Sequence, residues 1–235
     1  MSDDRPVLKS FAVELLAIAA TSISLWIVFG YGLYPLLGFP STAPMPGRTV
    51  VVVLVIWGFM RRRGESWAAF GLSRPREIWV TLLLAMGFLV VKLFVVQPVA
   101  DFVARLVELP KADHSFFYHI HGNIEALLVW LGLAWVVGGF GEEFIFRGFL
   151  MKRVADVLRG GVVGWGVALL AQAVIFGALH FYLGPAGVVS ATLSAVFFGL
   201  FFLIAGRSLW PVMFVHAMWD SLAFVLIYFN GVPST

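Results

Sequence analysis

The chain has 235 residues, of which 61% are hydrophobic and 12% charged, against about 45–50% and about 25% in soluble domains. A soluble core could not hide that much apolar surface, and the mean hydropathy is +0.96. With no cysteine, disulfides, thiol catalysis, cysteine-ligated zinc and S-palmitoylation are excluded. The formal charge of +3 comes from basic residues beside apolar stretches, with no basic stripe interleaved with aromatics, so nucleic acid is excluded as a partner.

In chain order the apolar stretches cover 11–29, 49–60, 78–96, 124–140, 162–181, 188–205 and 209–229. Each is too long and too uniformly apolar for a barrel strand. The pattern predicts an all-α, polytopic membrane protein with about seven transmembrane helices, six to eight in range, forming a single transmembrane domain over 1–235. The second stretch is short and needs tilt, or the residues before it, to cross. Arg5 and Lys9 precede the first stretch as in a signal peptide, but its apolar run continues past any cleavage point.

With a cytoplasmic N-terminus, the inner side holds Arg5, Lys9, Arg61, Arg62, Arg63, Arg74, Arg76, Arg147, Lys152, Arg153, Arg159 and Arg207. The outer side then holds Arg48, Arg105 and Lys111. This bias predicts an N-in orientation. It leaves Thr235 outside, and the bacterial inner membrane is the expected location.

Charge inside a bilayer is expensive, about 2.5–3.5 kcal/mol per group on insertion scales, so each charged residue there needs a partner, a route to the interface or a function. Glu14 and Glu125 lie near segment ends, and Lys92 has a stem long enough to snorkel; all three are expected to be structural. His114, His119 and His121 fall in an aromatic-rich outer loop and are expected to be wetted interfacial groups.

The remaining groups lie on the helices of residues 124–229. In Gly141-Glu142-Glu143-Phe144-Ile145-Phe146-Arg147, Glu143 and Arg147 are four apart on one face, and Glu142 points about a quarter-turn away. Phe176 and His180 share a face one turn apart, as do His216 and Asp220. A buried ion pair, a satisfied histidine and a second pair would explain each segment alone. Their joint occurrence in so charge-poor a chain points instead to a site.

These residues resemble the motifs of the CAAX-protease and bacteriocin-processing family of intramembrane proteases, which includes the bacterial Abi proteins and the Ras-converting CAAX endopeptidase. Its motifs are Glu-Glu-x-x-x-Arg, Phe-x-x-x-His and His-x-x-x-Asn or Asp, in that order on successive late helices. Here they read Glu142, Glu143 and Arg147; Phe176 and His180; His216 and Asp220. Asp220 stands where the CAAX-processing enzymes have Asn. The resemblance covers Gly141 to Asp220 and implies an endopeptidase acting on a membrane-associated protein or peptide, with Phe176 contributing to substrate binding.

Two mechanisms use these groups. In one, Glu142 is the general base for water, His180 orients the water or protonates the leaving amine, and His216, its tautomer fixed by Asp220, stabilises the oxyanion. In the other, a metalloprotease mechanism, Glu142, His180 and His216 hold zinc, with Asp220 behind them. The rival readings are a proton-coupled transporter and a catalytically silent binding or immunity protein on the same scaffold. Any hydrolase reading needs the fourth helix to continue past Phe140 and Arg147 towards Val157, so that Glu142 lies within the membrane at the depth of His180.

Overall fold

The computed structural model describes residues 5–33, 36, 46–75 and 77–232, with side chains from Ser10 onward. Arg76, Thr235 and the side chains of Arg5 and Lys9 lie outside the described residues. The protein is all-helical, as expected of a chain whose backbone groups must be satisfied without water. α1 runs over Arg5–Leu25 and continues through a wide π-wound stretch, Trp26–Leu33. Then come α2 (Pro46–Arg62), α3 (Ile78–Leu106), α4 (Ile124–Val157), α5 (Gly161–Leu179), α6 (Gly184–Ile204) and α7 (Leu209–Asn230).

Six of these are long and apolar enough to cross a membrane, with mean hydropathy from 1.7 to 2.4. The chain is therefore a multi-pass membrane protein. α2 is the short one: at 17 residues it is about 26 Å long, just under the hydrocarbon thickness of about 30 Å. Leu83, Phe94, Leu170, Val174, Ile204 and Phe229 are exposed on the outside of the bundle, where acyl chains replace water as the solvent. α5 pairs with α6 along its length, and α7 packs against α3 and the middle of α4.

Backbone hydrogen bonds define the two ends of the bundle. At one end, Leu209 N donates to Gly71 O (2.9 Å) and Trp210 Nε1 to Ser73 O (2.8 Å), joining the α2–α3 and α6–α7 connections beside the end of α4. At the other, Asp113 N donates to Leu183 O and Gly122 N to Tyr228 O, both at 3.0 Å. Gly184 (φ 73°) turns the chain sharply there before Pro185 starts α6. The first end carries Arg61, Arg62, Arg63, Arg74, Lys152, Arg153, Arg159 and Arg207, and is the basic end.

Glu14 is structural, but it is not at an interface: it is fully buried. Arg63 Nη2 lies 2.8 Å from its Oε1 and Arg153 Nε lies 3.1 Å from its Oε2. Arg153 also grips Glu65 with both terminal nitrogens, at 2.8 and 2.6 Å. Burial pushes the Glu65 carboxyl up, but the Arg153 hydrogen bond and charge outweigh it and hold the group below the usual carboxylate range. This clasp ties α1 to the end of α2 and to α4. Lys92 does not snorkel. It lies in the π turn Lys92–Val96, is fully buried, bonds Gln97 Oε1 at 3.0 Å and sits 4.0 Å from the centre of the Trp219 ring, because the widened turn aims the stem inward. Glu125 is exposed in the first turn of α4, where a helix N-terminus favours a carboxylate.

Candidate active site

α4 is continuous from Ile124 to Val157, as the hydrolase reading required, and its middle is wound as π-helix over Ala134–Glu142 and Phe144–Met151. Such i→i+5 winding is rare and concentrates at functional sites. Buried Phe144, Phe149 and Met151 pack into the main hydrophobic core and hold Glu142, Glu143 and Arg147 inside the bundle rather than at its surface.

The two adjacent glutamates part company. Glu143 is fully buried, and its Oε1 accepts from Arg147 Nη1 at 2.9 Å and from His216 Nδ1 at 2.6 Å. Arg147, also fully buried, sends Nη2 to Ala195 O on α6 (3.3 Å) and lies 4.8 Å from the Phe176 ring centre. Glu142 instead lines a cavity of about 1170 Å³, together with His180, His216, Asp220 and Phe176. The cavity wall includes neither Glu143 nor Arg147. The structure thus brings the three motifs together in two layers, an open face with Glu142 and a buried ion pair behind it.

The histidines are held by their inner nitrogens. His180 Nδ1 donates to Phe176 O at 2.8 Å, and the two rings lie 4.5 Å apart. His216 stacks on Phe198, centroids 5.0 Å apart, and its Nε2 stands 3.5 Å from Asp220 Oδ2, beyond the usual hydrogen-bond range. Glu143, rather than the expected Asp220, therefore fixes the His216 ring. Phe176 is 3% exposed, and Arg147 and His180 cover its ring, so it contributes mainly as their support. Among the described residues, no three His, Asp or Glu side chains gather within reach of one metal ion. His119 accepts from Trp130 Nε1 at 2.8 Å in a compact 3₁₀ turn, Ser115–Ile120.

All three motifs fall inside one segment that a family model recognises. Residues 124–222 match the Rce1-like model. The family is described as type II CAAX prenyl endopeptidase Rce1-like, and the match starts with α4 and ends two residues past Asp220. No curated protein and no solved structure gives a match to the chain. Within the Rce1-like segment, α4, α5 and α7 bring the motif residues to the cavity, while α6 supplies the Ala195 carbonyl and the Phe198 ring behind them.

Gln172 is uncharged, yet it is fully buried and donates to Ala195 O at 2.9 Å, the carbonyl that Arg147 also uses. A lone amide inside an apolar span was the available signal. The glycines of Gly138-Gly139-Phe140-Gly141 were a second signal, since they let α7 approach α4. A Cβ on Gly139 would lie 2.9 Å from Ala217 Cβ and 2.9 Å from Met213 O, whereas one on Gly138 would lie 2.7 Å from Asp220 Oδ2. Gly139→Ala is expected to force backbone apart and lower stability by about 1–3 kcal/mol. Gly138→Ala displaces only the tip of a side chain and should leave the thermal midpoint in detergent nearly unchanged while reducing activity. Equal midpoints for the two variants would refute this account of the α4–α7 contact.

Proposed function

We propose that the protein is an intramembrane endopeptidase that hydrolyses a peptide bond of a membrane-associated protein or peptide with water activated by Glu142. The supporting observation is the division of labour between the paired glutamates: Glu143 is committed to Arg147 and His216, which leaves Glu142 as the one of the two that lines the cavity, where it stands with Asp220 and both histidines. Glu142 takes the proton of a water molecule as that water attacks the scissile carbonyl. His216 faces the cavity through Nε2, since Nδ1 is held by Glu143, and stabilises the developing oxyanion. His180, its Nδ1–H held by Phe176 O, takes the proton from Glu142 on Nε2 and passes it to the leaving amine as the C–N bond breaks, which restores the Glu142 carboxylate. Arg147 and Glu143 position His216 and touch no substrate.

Water activated by a carboxylate accounts for the geometry with groups already on the wall. The zinc alternative needs Glu142, His180 and His216 to draw together around one ion. A transporter relay would call for broken, repeated helices in both halves, whereas the polar groups here converge on the Rce1-like segment. The test is a proteomic comparison of cells carrying the wild-type protein and Glu142→Ala. A membrane-derived peptide product present only with the wild type is expected, and identical proteomes would sink the protease reading.

A further inference from the structure

α5 ends at Leu179, and the chain reverses through His180 and one 3₁₀ turn, Phe181–Leu183. The turn is pinned from both sides: Leu183 N donates to His180 O and Asp113 N to Leu183 O, both at 3.0 Å. Tyr182 stands at its centre. It is half-buried and lines the same cavity as Glu142, His180, His216 and Asp220.

The Tyr182 ring is held as firmly as its backbone. It stacks with the His180 ring, centroids 5.8 Å apart and planes 30° apart, and His180 is itself tied to Phe176 O through Nδ1. The phenol hydroxyl donates to none of the described residues. The charged groups that act on it are Glu142, Asp220 and Arg48, which places it on the stretch of wall where the general base stands.

Hydrolysis calls for a hydrogen-bond donor there. The oxyanion develops in a cavity walled by Glu142 and Asp220, and carboxylates raise the cost of further negative charge and, when ionised, only accept hydrogen bonds. Each histidine commits a hydrogen through Nδ1, His180 to Phe176 O and His216 to Glu143, so each offers another through Nε2 only as the imidazolium. A phenol donates at neutral pH without first taking up a proton.

We infer that Tyr182 is a further catalytic residue, whose hydroxyl donates to the oxyanion that forms as water attacks the scissile carbonyl. The phenol keeps its proton throughout: it gives a hydrogen bond as the carbonyl oxygen gains charge and releases it when the C–N bond breaks and the carbonyl re-forms. His216 and Tyr182 thus approach the oxyanion from α7 and from the α5–α6 turn, two separately anchored elements. The assignment rests on the endopeptidase reading.

Tyr182→Phe tests it, because the ring against His180 is kept and only the hydroxyl is lost. The assay uses purified protein in detergent and a synthetic peptide spanning the cleavage site of the Glu142-dependent product. Tyr182→Phe is expected to lower kcat by about 10²–10³, the usual effect of removing one oxyanion donor. KM and the thermal midpoint should not move, since a hydrogen bond made only in the transition state serves neither substrate binding nor the resting fold. Wild-type kcat in Tyr182→Phe overturns the assignment, and so does a raised KM at unchanged kcat, which would make the hydroxyl a ground-state contact. A lowered midpoint or loss of folded protein would make the hydroxyl structural and overturns it too. An inactive Glu142→Gln beside a fully active Tyr182→Phe defeats this assignment alone, whereas failure of the wild type to give any Glu142-dependent product defeats it together with the protease reading.

Discussion

Glu142→Gln is expected to abolish cleavage by the purified protein while leaving its thermal midpoint in place. The amide keeps the size and shape of the carboxylate on the cavity wall but cannot accept a proton, and general-base catalysis contributes about 10²–10⁴ in rate. The buried pair behind it does not involve Glu142, so its hydrogen bonds are kept. The same preparation separates the two mechanisms. Activity that survives a strong chelator, together with substoichiometric metal, is expected for a carboxylate-activated water. Stoichiometric zinc, lost in both His180→Ala and His216→Ala and restoring activity when added back, would make the protein a metalloprotease. Full turnover by Glu142→Gln would defeat both mechanisms and return the transporter and silent-scaffold readings to the front.

Arg147→Lys should lose both stability and rate. The guanidinium reaches Glu143 Oε1 and Ala195 O with separate nitrogens and lies over Phe176; an ammonium is a point charge that cannot hold both acceptors across that span. Each lost hydrogen bond to a charged group is worth about 1.5–3 kcal/mol. Gln172 still donates to Ala195 O, so the larger share of the effect falls on Glu143 and, through it, on His216. Removing the charge altogether in Arg147→Met strands a buried carboxylate and should cost about 3–5 kcal/mol. Because Arg147 acts by positioning His216, the lysine variant should show a lower kcat with KM little changed. A lysine variant as stable and as active as the wild type would reduce Arg147 to a topology signal.

The spans were legible because lipid demands long apolar runs, and six of the seven stretches became crossing helices of full length. The site was legible as far as one helix can show it: spacing of four residues puts Glu143 beside Arg147, and that pair is present. It could not show partners on other helices. His216 and Asp220 looked like a pair by the same spacing, yet the closer hydrogen bond of His216 runs to Glu143, 73 residues away. The π winding of α4 and the inward turn of Lys92 were invisible for a related reason, since hydropathy reports how apolar a helix is and not how widely it is wound. Glu14 was placed near a segment end by counting from the first apolar residue, whereas its two arginine partners draw it into the protein.

The same clasp sets an order of assembly. Glu14 is made first; Arg63 follows 49 positions later and Arg153 only after 139 positions. At about 5–20 residues per second the wait for Arg153 is about 7–28 s, during which, of the two arginine partners described, the carboxylate in the first apolar helix has only the one beyond α2. α1 and α2 therefore form a provisional hairpin, and α1 can settle permanently only once α4 has entered the membrane and presented its inner end. The helix that forms one wall of the cavity is thus the first to be synthesised and among the last to be locked in place.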